Sequence, residues 1–142
     1  MKEYSFLNVG LVVNGTDLTG YDEGDDVITL ARLGDSAAHK IGTDGEMSVS
    51  LSADRSGTAT FRLMQTSLSN AFMSDLIAKQ ENGAFAPVSV QMKDVKGGDL
   101  GEGTSGYINK PSDMQRGTGV GNQEWVITVE NLSFLHAGAD TL

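Results

Sequence analysis

The chain has 142 residues, among them 18 glycines, 2 prolines and no cysteine. This length predicts one domain over residues 1–142, and the lack of cysteine excludes a disulfide framework and a thiolate metal site. The 19 acidic and 10 basic side chains give a net charge of −9, which argues against the basic surface that proteins need to neutralise nucleic-acid phosphates.

The first part of the chain predicts short strands joined by turns. Residues 4–13 form an apolar run, and Asn14-Gly15 behind it is a strong signal for a two-residue hairpin turn. The acidic residue near the start and the short apolar run predict neither a signal peptide nor a membrane-spanning helix. Residues 27–33 are apolar almost throughout, which predicts an interior strand or one that a neighbouring subunit covers. Residues 34–45 have three glycines and no sustained period, so we expect a long irregular connection there.

Two alternating segments predict a hairpin in the middle of the chain. Residues 47–52 and 58–63 each place an apolar side chain at every second position, and a polar turn with Gly57 lies between them. The period then becomes four, which predicts a helix over about residues 68–82. The predicted core face of this helix consists of Leu68, Phe72 and Leu76.

The other face of the predicted hairpin is rich in hydroxyl groups. The solvent-facing side of an ordinary antiparallel sheet would explain this composition, and the smooth polar wall of a channel is the alternative. The side chains of this face are Ser48, Ser50, Ser52, Thr58, Thr60 and Arg62.

The C-terminal half predicts further strands, which makes the fold mainly β: an antiparallel β-sandwich or barrel with one flanking α-helix. Residues 86–93 alternate, and residues 96–106 have so little side-chain bulk that we expect a flexible or extended turn region. Residues 107–115 predict a strand with an irregular end, because a proline interrupts it. Residues 123–135 predict a core strand, and residues 136–142 are expected to fray unless a partner holds them.

The sequence contains no arrangement that is typical of catalysis or metal binding. His39 and His136 are far apart, and no cysteine can complete a ligand set. The acidic residues 22–26 lack the alternating spacing of an EF-hand loop, so a solvated turn is the simpler interpretation. The glycine-rich residues 97–103 are acidic and lack the Gly-Lys-Ser/Thr ending of a phosphate loop. We therefore predict a protein that is not an enzyme and has no cofactor.

Several stretches together resemble the tail tube proteins of long-tailed bacteriophages with contractile tails. The resemblance covers nearly the whole chain and depends on the order of the elements, since no short motif is diagnostic by itself. The stretches that carry it are FLNVGLVVNGTDLTGYDEGDDVITL, the loop ending GTDGE, the segment SVSLSADRSGTATFRL, the helix LSNAFMSDLIAKQENG and the strand APVSVQM.

The resemblance implies a structural virion protein that is made in the cytoplasm of the host bacterium. Six copies would form a ring, and stacked rings would form a hollow tube through which DNA passes without sequence-specific binding. The implied partners are further copies of the chain and the sheath, baseplate and tail-terminator proteins, with no membrane. An acidic lumen with many hydroxyl groups would repel the DNA backbone at short range.

In the family a long loop between strands contacts the adjacent ring. The segment of this chain that matches it is the predicted irregular connection, and a neighbouring subunit would also cover apolar strands at the edge of the sheet. The candidate residues for ring stacking are Asp35, Ser36, His39, Lys40 and Asp44.

Two other functions are compatible with the pattern. The same architecture occurs in the inner tube of type VI secretion systems and related contractile injection devices, so the fold alone does not decide whether DNA or protein passes through. The N-terminal and middle stretches favour the phage tube. A monomeric β-sandwich that binds carbohydrate or calcium is the more distant alternative, and it would need exposed aromatic side chains or a cage of carboxylates.

Overall fold

The computed structural model describes residues 3–137. In these residues seven strands form one antiparallel sheet in the order β2-β1-β7-β8-β9-β6-β3, and β4 and β5 form a separate two-stranded sheet. The predicted class, mainly β with one helix, is confirmed, and the described strands do not close into a complete barrel. The elements are a 3-10 helix at Phe6–Asn8, β1 Val9–Val13, β2 Thr16–Asp17, β3 Ile28–Arg32, β4 Ala37–Ile41, β5 Met47–Leu51, β6 Gly57–Met64, α1 Ser69–Glu81, β7 Val88–Asp94, β8 Leu100–Ile108 and β9 Asn122–Leu135.

The first hairpin has the predicted turn. Val13 on β1 pairs with Thr16 on β2, and the two residues between them have positive φ angles, 50° for Asn14 and 81° for Gly15. Positive φ at both central positions is what a type I′ turn requires, and asparagine and glycine reach that region at low cost. The hairpin prediction is therefore confirmed.

Strand β3 lies at one edge of the seven-stranded sheet, next to β6. The expectation of an interior strand is therefore wrong within one copy of the chain. Ile28 and Leu30 pack partly against the core, while Thr29 is exposed on the opposite face. The alternative, that a neighbouring subunit covers the free edge, stays a prediction.

The predicted hairpin in the middle of the chain is wrong. β5 pairs with β4, with Val49 opposite His39, and β6 pairs with β3 on one side and β9 on the other. The irregular connection predicted for residues 34–45 is also wrong, since it contains β4. Alternation identifies a half-buried strand, but it does not specify the strand with which it pairs.

The core lies on one face of the large sheet, where β6, β9 and the neighbouring strands meet. Phe61 is opposite Trp125, and Ala59 is opposite Ile127. The sheet curls around this core, because Tyr21 behind β2 bridges to Leu63 at the far side of the sheet. The fully buried side chains with the largest volumes are Phe61, Leu11, Leu63, Met73, Ile108, Ile127, Leu132, Val13, Val90 and Val129.

Helix α1 packs on this core with a face that differs from the predicted one. Met73 and Ile77 are buried, and Phe72 and Leu76 are partly buried against the core. Leu68 is 87% exposed, so its assignment to the core face is wrong. The reason is that Ser69 starts the helix as a buried residue, and its hydroxyl oxygen accepts a hydrogen bond from the Thr19 backbone N–H at 2.9 Å.

Two polar side chains of the helix fix it to the sheet. The Trp125 indole N–H donates to Asn70 Oδ1 at 3.0 Å. Gln80 makes two hydrogen bonds to the backbone of Ile108: its Nε2 donates to the carbonyl at 2.8 Å, and its Oε1 accepts from the N–H at 3.0 Å. Gly83, with φ of 81°, then allows the chain to leave the helix in the left-handed conformation.

The glycine-rich residues 96–106 are not a flexible turn region, because β8 occupies most of them and lies between β7 and β9. The strand predicted over residues 107–115 ends at Ile108, which leaves a longer irregular segment than expected. Strand β9 confirms the predicted core strand, with Trp125, Ile127 and Val129 buried. Fraying was predicted for residues 136–142. Of these, His136 stacks on Phe134 and the Ala137 N–H donates to Asp99 Oδ1 at 2.8 Å, while residues 138–142 lie outside the described residues.

Candidate assembly surfaces

A two-stranded arm projects from the sheet, and we define it as residues 36–52, which contain β4, a turn and β5. Every residue of both strands is exposed. At the base of the arm the Ser52 N–H donates to the Ser36 carbonyl at 2.9 Å, and at its tip Asp44 Oδ1 accepts the Glu46 N–H at 3.1 Å. None of the arm's residues belongs to the buried core. The arm is therefore a separate element that the rest of the domain does not need for its packing.

The arm has one apolar face and one polar face. Directly paired residues share a face of a two-stranded sheet, and the pairing places His39 opposite Val49 and Lys40 opposite Ser48. Val49 is 56% and Leu51 is 83% exposed. A two-stranded hairpin is marginally stable in water, and an apolar side that residues 3–137 leave exposed is typical of a surface that binds another chain. The apolar arm face consists of Ala37, His39, Ile41, Met47, Val49 and Leu51.

The residues predicted for ring stacking lie on or beside the arm. Ser36 is at its base, His39 is on its apolar face, Lys40 is on its polar face and Asp44 is in its turn, while Asp35 directly precedes the arm. The structure thus brings them onto one element, but they do not share one face. Their role in stacking stays a prediction.

The two ends of the arm are fixed to the large sheet. On the β3 side, Arg32 Nε donates to the Leu132 carbonyl at 2.8 Å. On the β6 side, Arg55 bridges to Asn131, and the Asp54 carboxylate accepts the Ser56 hydroxyl at 2.7 Å and the Ser56 N–H at 3.0 Å. These hydrogen bonds to the charged form lower the pKa of the Asp54 carboxyl. The arm therefore extends from a base that is firmly attached.

The predicted hydroxyl-rich face is divided between two surfaces. Ser48 and Ser50 lie on the polar face of the arm, and Ser52 lies at its base. Thr58, Thr60 and Arg62 alternate with the buried residues of β6 and point away from the core of the large sheet. The single face expected from the sequence does not exist, because β5 and β6 belong to different sheets.

We define the outer face of the large sheet as the side opposite the core, on β3, β6, β8 and β9. Its pairs include Thr60 with Val126 and Thr58 with Thr128. These side chains are partly exposed, and most are small or hydroxylated. The outer face consists of Thr29, Thr58, Thr60, Arg62, Tyr107, Glu124, Val126 and Thr128.

The Arg62 guanidinium on the outer face is held by an ion pair. Its Nη2 lies 2.8 Å from Asp26 Oδ1, and Gly24, with φ of 130°, leaves room for it, since a Cβ there would lie 2.8 Å from Nη2. A carboxylate at this distance offsets most of the local positive potential. The outer face therefore presents hydroxyl groups and little net positive charge at β6.

An apolar groove of about 690 Å³ opens at one end of the curled sheet. Its walls include Ile28, Leu30 and Met92, which pack partly against the core. Phe6 and Tyr21 contact each other edge to face beside these walls, with 5.4 Å between the ring centroids. Burial raises the pKa of the Tyr21 phenol, and its hydroxyl is protonated at neutral pH. The remaining apolar side chains of the groove include Tyr4, Phe6, Val9, Leu100, Phe134 and Leu135, and its acidic rim is formed by Asp22, Glu23, Asp25, Asp94 and Asp99.

The described residues do not form a recognisable reactive centre. Within residues 3–137 no three His, Asp or Glu side chains are grouped as a set of metal ligands. His39 lies on the arm, and His136 stacks on Phe134 at 5.5 Å between ring centroids. In the same part of the chain, no helix combines the length and the apolar character that crossing a membrane requires.

Residues 1–135 match a protein family described as the bacteriophage PhiTE tail tube protein. The match includes the arm, the outer face and both edges of the large sheet. The chain belongs to this family. A tail tube protein is a structural component of the virion, which assembles with itself and with other tail components. No curated protein matches the chain.

Two surfaces of this tail tube protein were not found from its sequence. The alternation of Met47, Val49 and Leu51 predicts that they lie on the core side of a hairpin, whereas they lie on the exposed arm. The groove was missed because its residues come from distant parts of the chain. A signal for the arm did exist. Residues 37–41, which precede β5, contain two alanines, a histidine and a lysine and are too polar for a buried partner strand.

Proposed function

We propose that this tail tube protein assembles into hexameric rings, and that the rings stack into the hollow tube through which phage DNA leaves the virion. The arm carries this proposal, because it exposes an apolar face that its own domain does not cover. An element of this kind is stable and soluble when another copy covers it. Sheath, baseplate and tail-terminator proteins are the further partners that we propose.

Pairing of strand edges between copies would close the ring. Among residues 3–137, β3 has β6 on one side and an open edge on the other, and β2 at the opposite end of the sheet pairs over only Thr16–Asp17. Open edges offer unpaired backbone groups to another chain. Because the two edges are different surfaces, their pairing is heterologous, and a heterologous contact closes into a ring when its rotation permits. The free edges thus support a cyclic assembly.

Stacking of the rings is the role that we propose for the arm. It extends beyond the sheet from the fixed base at Arg32 and Arg55, so it can reach a copy that is not in edge contact. Asp35, Ser36, His39, Lys40 and Asp44 would lie in or beside this contact.

We propose the outer face of the large sheet as the wall of the lumen. Most of its side chains carry a hydroxyl group, Arg62 is paired with Asp26, and the whole chain has a net charge of −9. A surface of this composition does not neutralise phosphates, so DNA would pass along it without being held. Ser48, Ser50 and Ser52 belong to the arm and are not part of this wall.

Electron microscopy of the purified chain tests the proposed assembly. We expect rings with six-fold symmetry and hollow tubes built from them, in a concentration-dependent equilibrium that sedimentation can follow. A chain that stays strictly monomeric across concentrations and salt conditions would overturn the proposal.

The lumen assignment predicts an effect of added positive charge. Thr60→Arg combined with Thr128→Arg should leave tube formation intact but slow DNA release from virions several-fold, because the new guanidinium groups would bind passing phosphates. Raising the salt concentration should weaken this effect. Ser74→Arg combined with Ala78→Arg, on the exposed side of α1, is the matched control and should release DNA at the normal rate. Equal rates for both pairs would show that the outer face does not contact DNA.

A further inference from the structure

We infer that Asn82 is a site of spontaneous chemical modification, at which the side-chain amide is lost and aspartate or isoaspartate takes the place of the asparagine. The chain contains two Asn-Gly pairs, Asn14-Gly15 and Asn82-Gly83. In such a pair the glycine has no side chain to hinder the approach of its backbone nitrogen to the asparagine amide. The structure restrains the first pair and leaves the second free to react.

The reaction needs only water and the two residues of the pair. The Gly83 nitrogen loses its proton to a base in solution and bonds to Cγ of Asn82, while the bond from Cγ to the amide nitrogen breaks and ammonia leaves. Water then opens the five-membered succinimide ring that has formed. Opening at the side-chain carbonyl gives aspartate, and opening at the main-chain carbonyl gives isoaspartate, in which the main chain runs through the former side chain.

The side chain of Asn14 is held by strand β7. Its Oδ1 accepts the Ser89 N–H at 2.8 Å and the Ser89 hydroxyl at 3.4 Å, and the Asn14 N–H donates to the Ser89 carbonyl at 3.1 Å. Strand β1 in front of this turn pairs with β2 on one side and with β7 on the other. Ring closure at Asn14 would therefore have to break hydrogen bonds that the folded sheet keeps in place.

Asn82 lies at the end of helix α1, where little restrains its side chain. Among residues 3–137 that side chain has no hydrogen-bond partner, and both Asn82 and Gly83 are exposed. Behind them the Ala84 N–H donates to the Lys79 carbonyl at 3.1 Å, and residues 84–87 are exposed and belong to no helix or strand. A helix end of this kind opens more readily than the interior of a sheet. Each opening lets the Gly83 nitrogen rotate towards Cγ of Asn82.

Both products weaken the end of the helix. The C-terminal carbonyl groups of a helix carry partial negative charge, so a new carboxylate at Asn82 is repelled by them. Isoaspartate also adds a methylene group to the main chain just before Gly83, whose φ of 81° forms the left-handed exit from the helix. Gln80, which fixes α1 to Ile108, lies in the same last turn. Because a virion protein is not replaced after assembly, we expect modified copies to accumulate with age.

Ageing of the purified full-length chain in mildly alkaline buffer made with ¹⁸O water tests the inference. Deamidation in this water places ¹⁸O in the new carboxyl group, so mass spectrometry of peptides separates it from deamidation that preceded the incubation. In the folded chain we expect conversion to be several-fold faster at Asn82 than at Asn14, and to rise with pH because a base must remove the proton of the glycine nitrogen. Asn82→Gln is the control variant, since its longer side chain closes the ring far more slowly, and its peptide should stay unlabelled.

The same incubation in guanidinium chloride shows what the fold contributes. In the unfolded chain both pairs should react at similar rates, because neither asparagine keeps its native hydrogen bonds. The inference is overturned if the folded chain is labelled equally at both pairs or faster at Asn14. It is also overturned if Asn82 stays unlabelled in the folded chain while the unfolded chain reacts.

The effect on the helix is measured on the modified copies themselves. Ion-exchange chromatography separates the copies that carry the additional negative charge. In this fraction we expect faster hydrogen exchange at the backbone amides of residues 80–84 than in the unmodified fraction of the same sample, and unchanged exchange around Asn14. Equal exchange in the two fractions would contradict the weakening of the helix end.

Discussion

Replacing residues 37–51 with Asn-Gly is expected to give a folded protein that does not form tubes. The Ser52 N–H donates to the Ser36 carbonyl at 2.9 Å, so the cut ends are already in register for a two-residue hairpin turn. The arm contributes nothing to the buried core, and the variant should therefore melt within about 4 °C of the wild type. Tubes should not form, because we propose that the arm joins one ring to the next, whereas rings closed by the edges of the sheet should remain.

Circular dichroism during heating measures the stability of this variant, and electron microscopy with sedimentation measures its assembly. Ser48→Ala combined with Ser50→Ala keeps the arm but changes its polar face, and this control should still form tubes. Tubes of normal length from the variant without an arm would contradict the role of the arm. Rings without tubes are the result that fits the proposed assembly, in which the edges of the sheet close the ring and the arm joins one ring to the next. Loss of the rings as well would show that the arm also takes part in closing the ring.

Local signals in the sequence predicted the elements better than their partners. The Asn14-Gly15 turn, the helix and the strand over residues 123–135 depend on the conformation of adjacent residues, and the structure has all three. The partner of β5 depends on residues 37–41, which combine two alanines, a histidine and a lysine and show no strand period. Nothing in the alternation of β5 or β6 indicates that they belong to different sheets.

Local sequence signals also do not show what covers the apolar arm face. An apolar alternation shows that a face needs cover, but the cover can come from the same chain or from another copy. The predicted cover for Val49 and Leu51 is the core of their own chain, but both side chains are exposed on the arm. The residues predicted for ring stacking lie on or beside the arm. A family resemblance, and not a periodicity, pointed to them, and their role in stacking stays a prediction.

The glycine content of residues 96–106 predicted a turn region, but most of these residues belong to strand β8. Glycine is depleted in strand interiors, so a run with four glycines over residues 97–103 is typical of a loop. In the structure the glycines of β8 lie where neighbouring groups leave no space for a side chain: a Cβ at Gly101 would be 2.9 Å from Leu30, and one at Gly103 would be 2.8 Å from Val129. Their function is close packing within the sheet, which becomes visible only when the partner strands are known.

Gly106→Ala is therefore expected to lower the free energy of unfolding by about 1–3 kcal/mol, the usual cost of forcing extra volume into a packed site. A Cβ at this position would lie 2.7 Å from the Thr128 carbonyl oxygen and 3.0 Å from the Val88 carbonyl oxygen. Both are backbone atoms of the adjacent strands, so no side-chain rotation can relieve the clash. Urea unfolding of the purified chain, in conditions where it is monomeric, measures the loss.

Gly119→Ala is the matched control, because a Cβ there meets nothing within 4 Å, and its free energy of unfolding should stay within about 0.5 kcal/mol of the wild type. Equal stability of the two variants would mean that β8 is not packed tightly between β7 and β9. A loss at Gly106 alone would show that the sheet has no space for a side chain at this position. A domain with a stability of roughly 5–15 kcal/mol would then lose a substantial part of it through one methyl group.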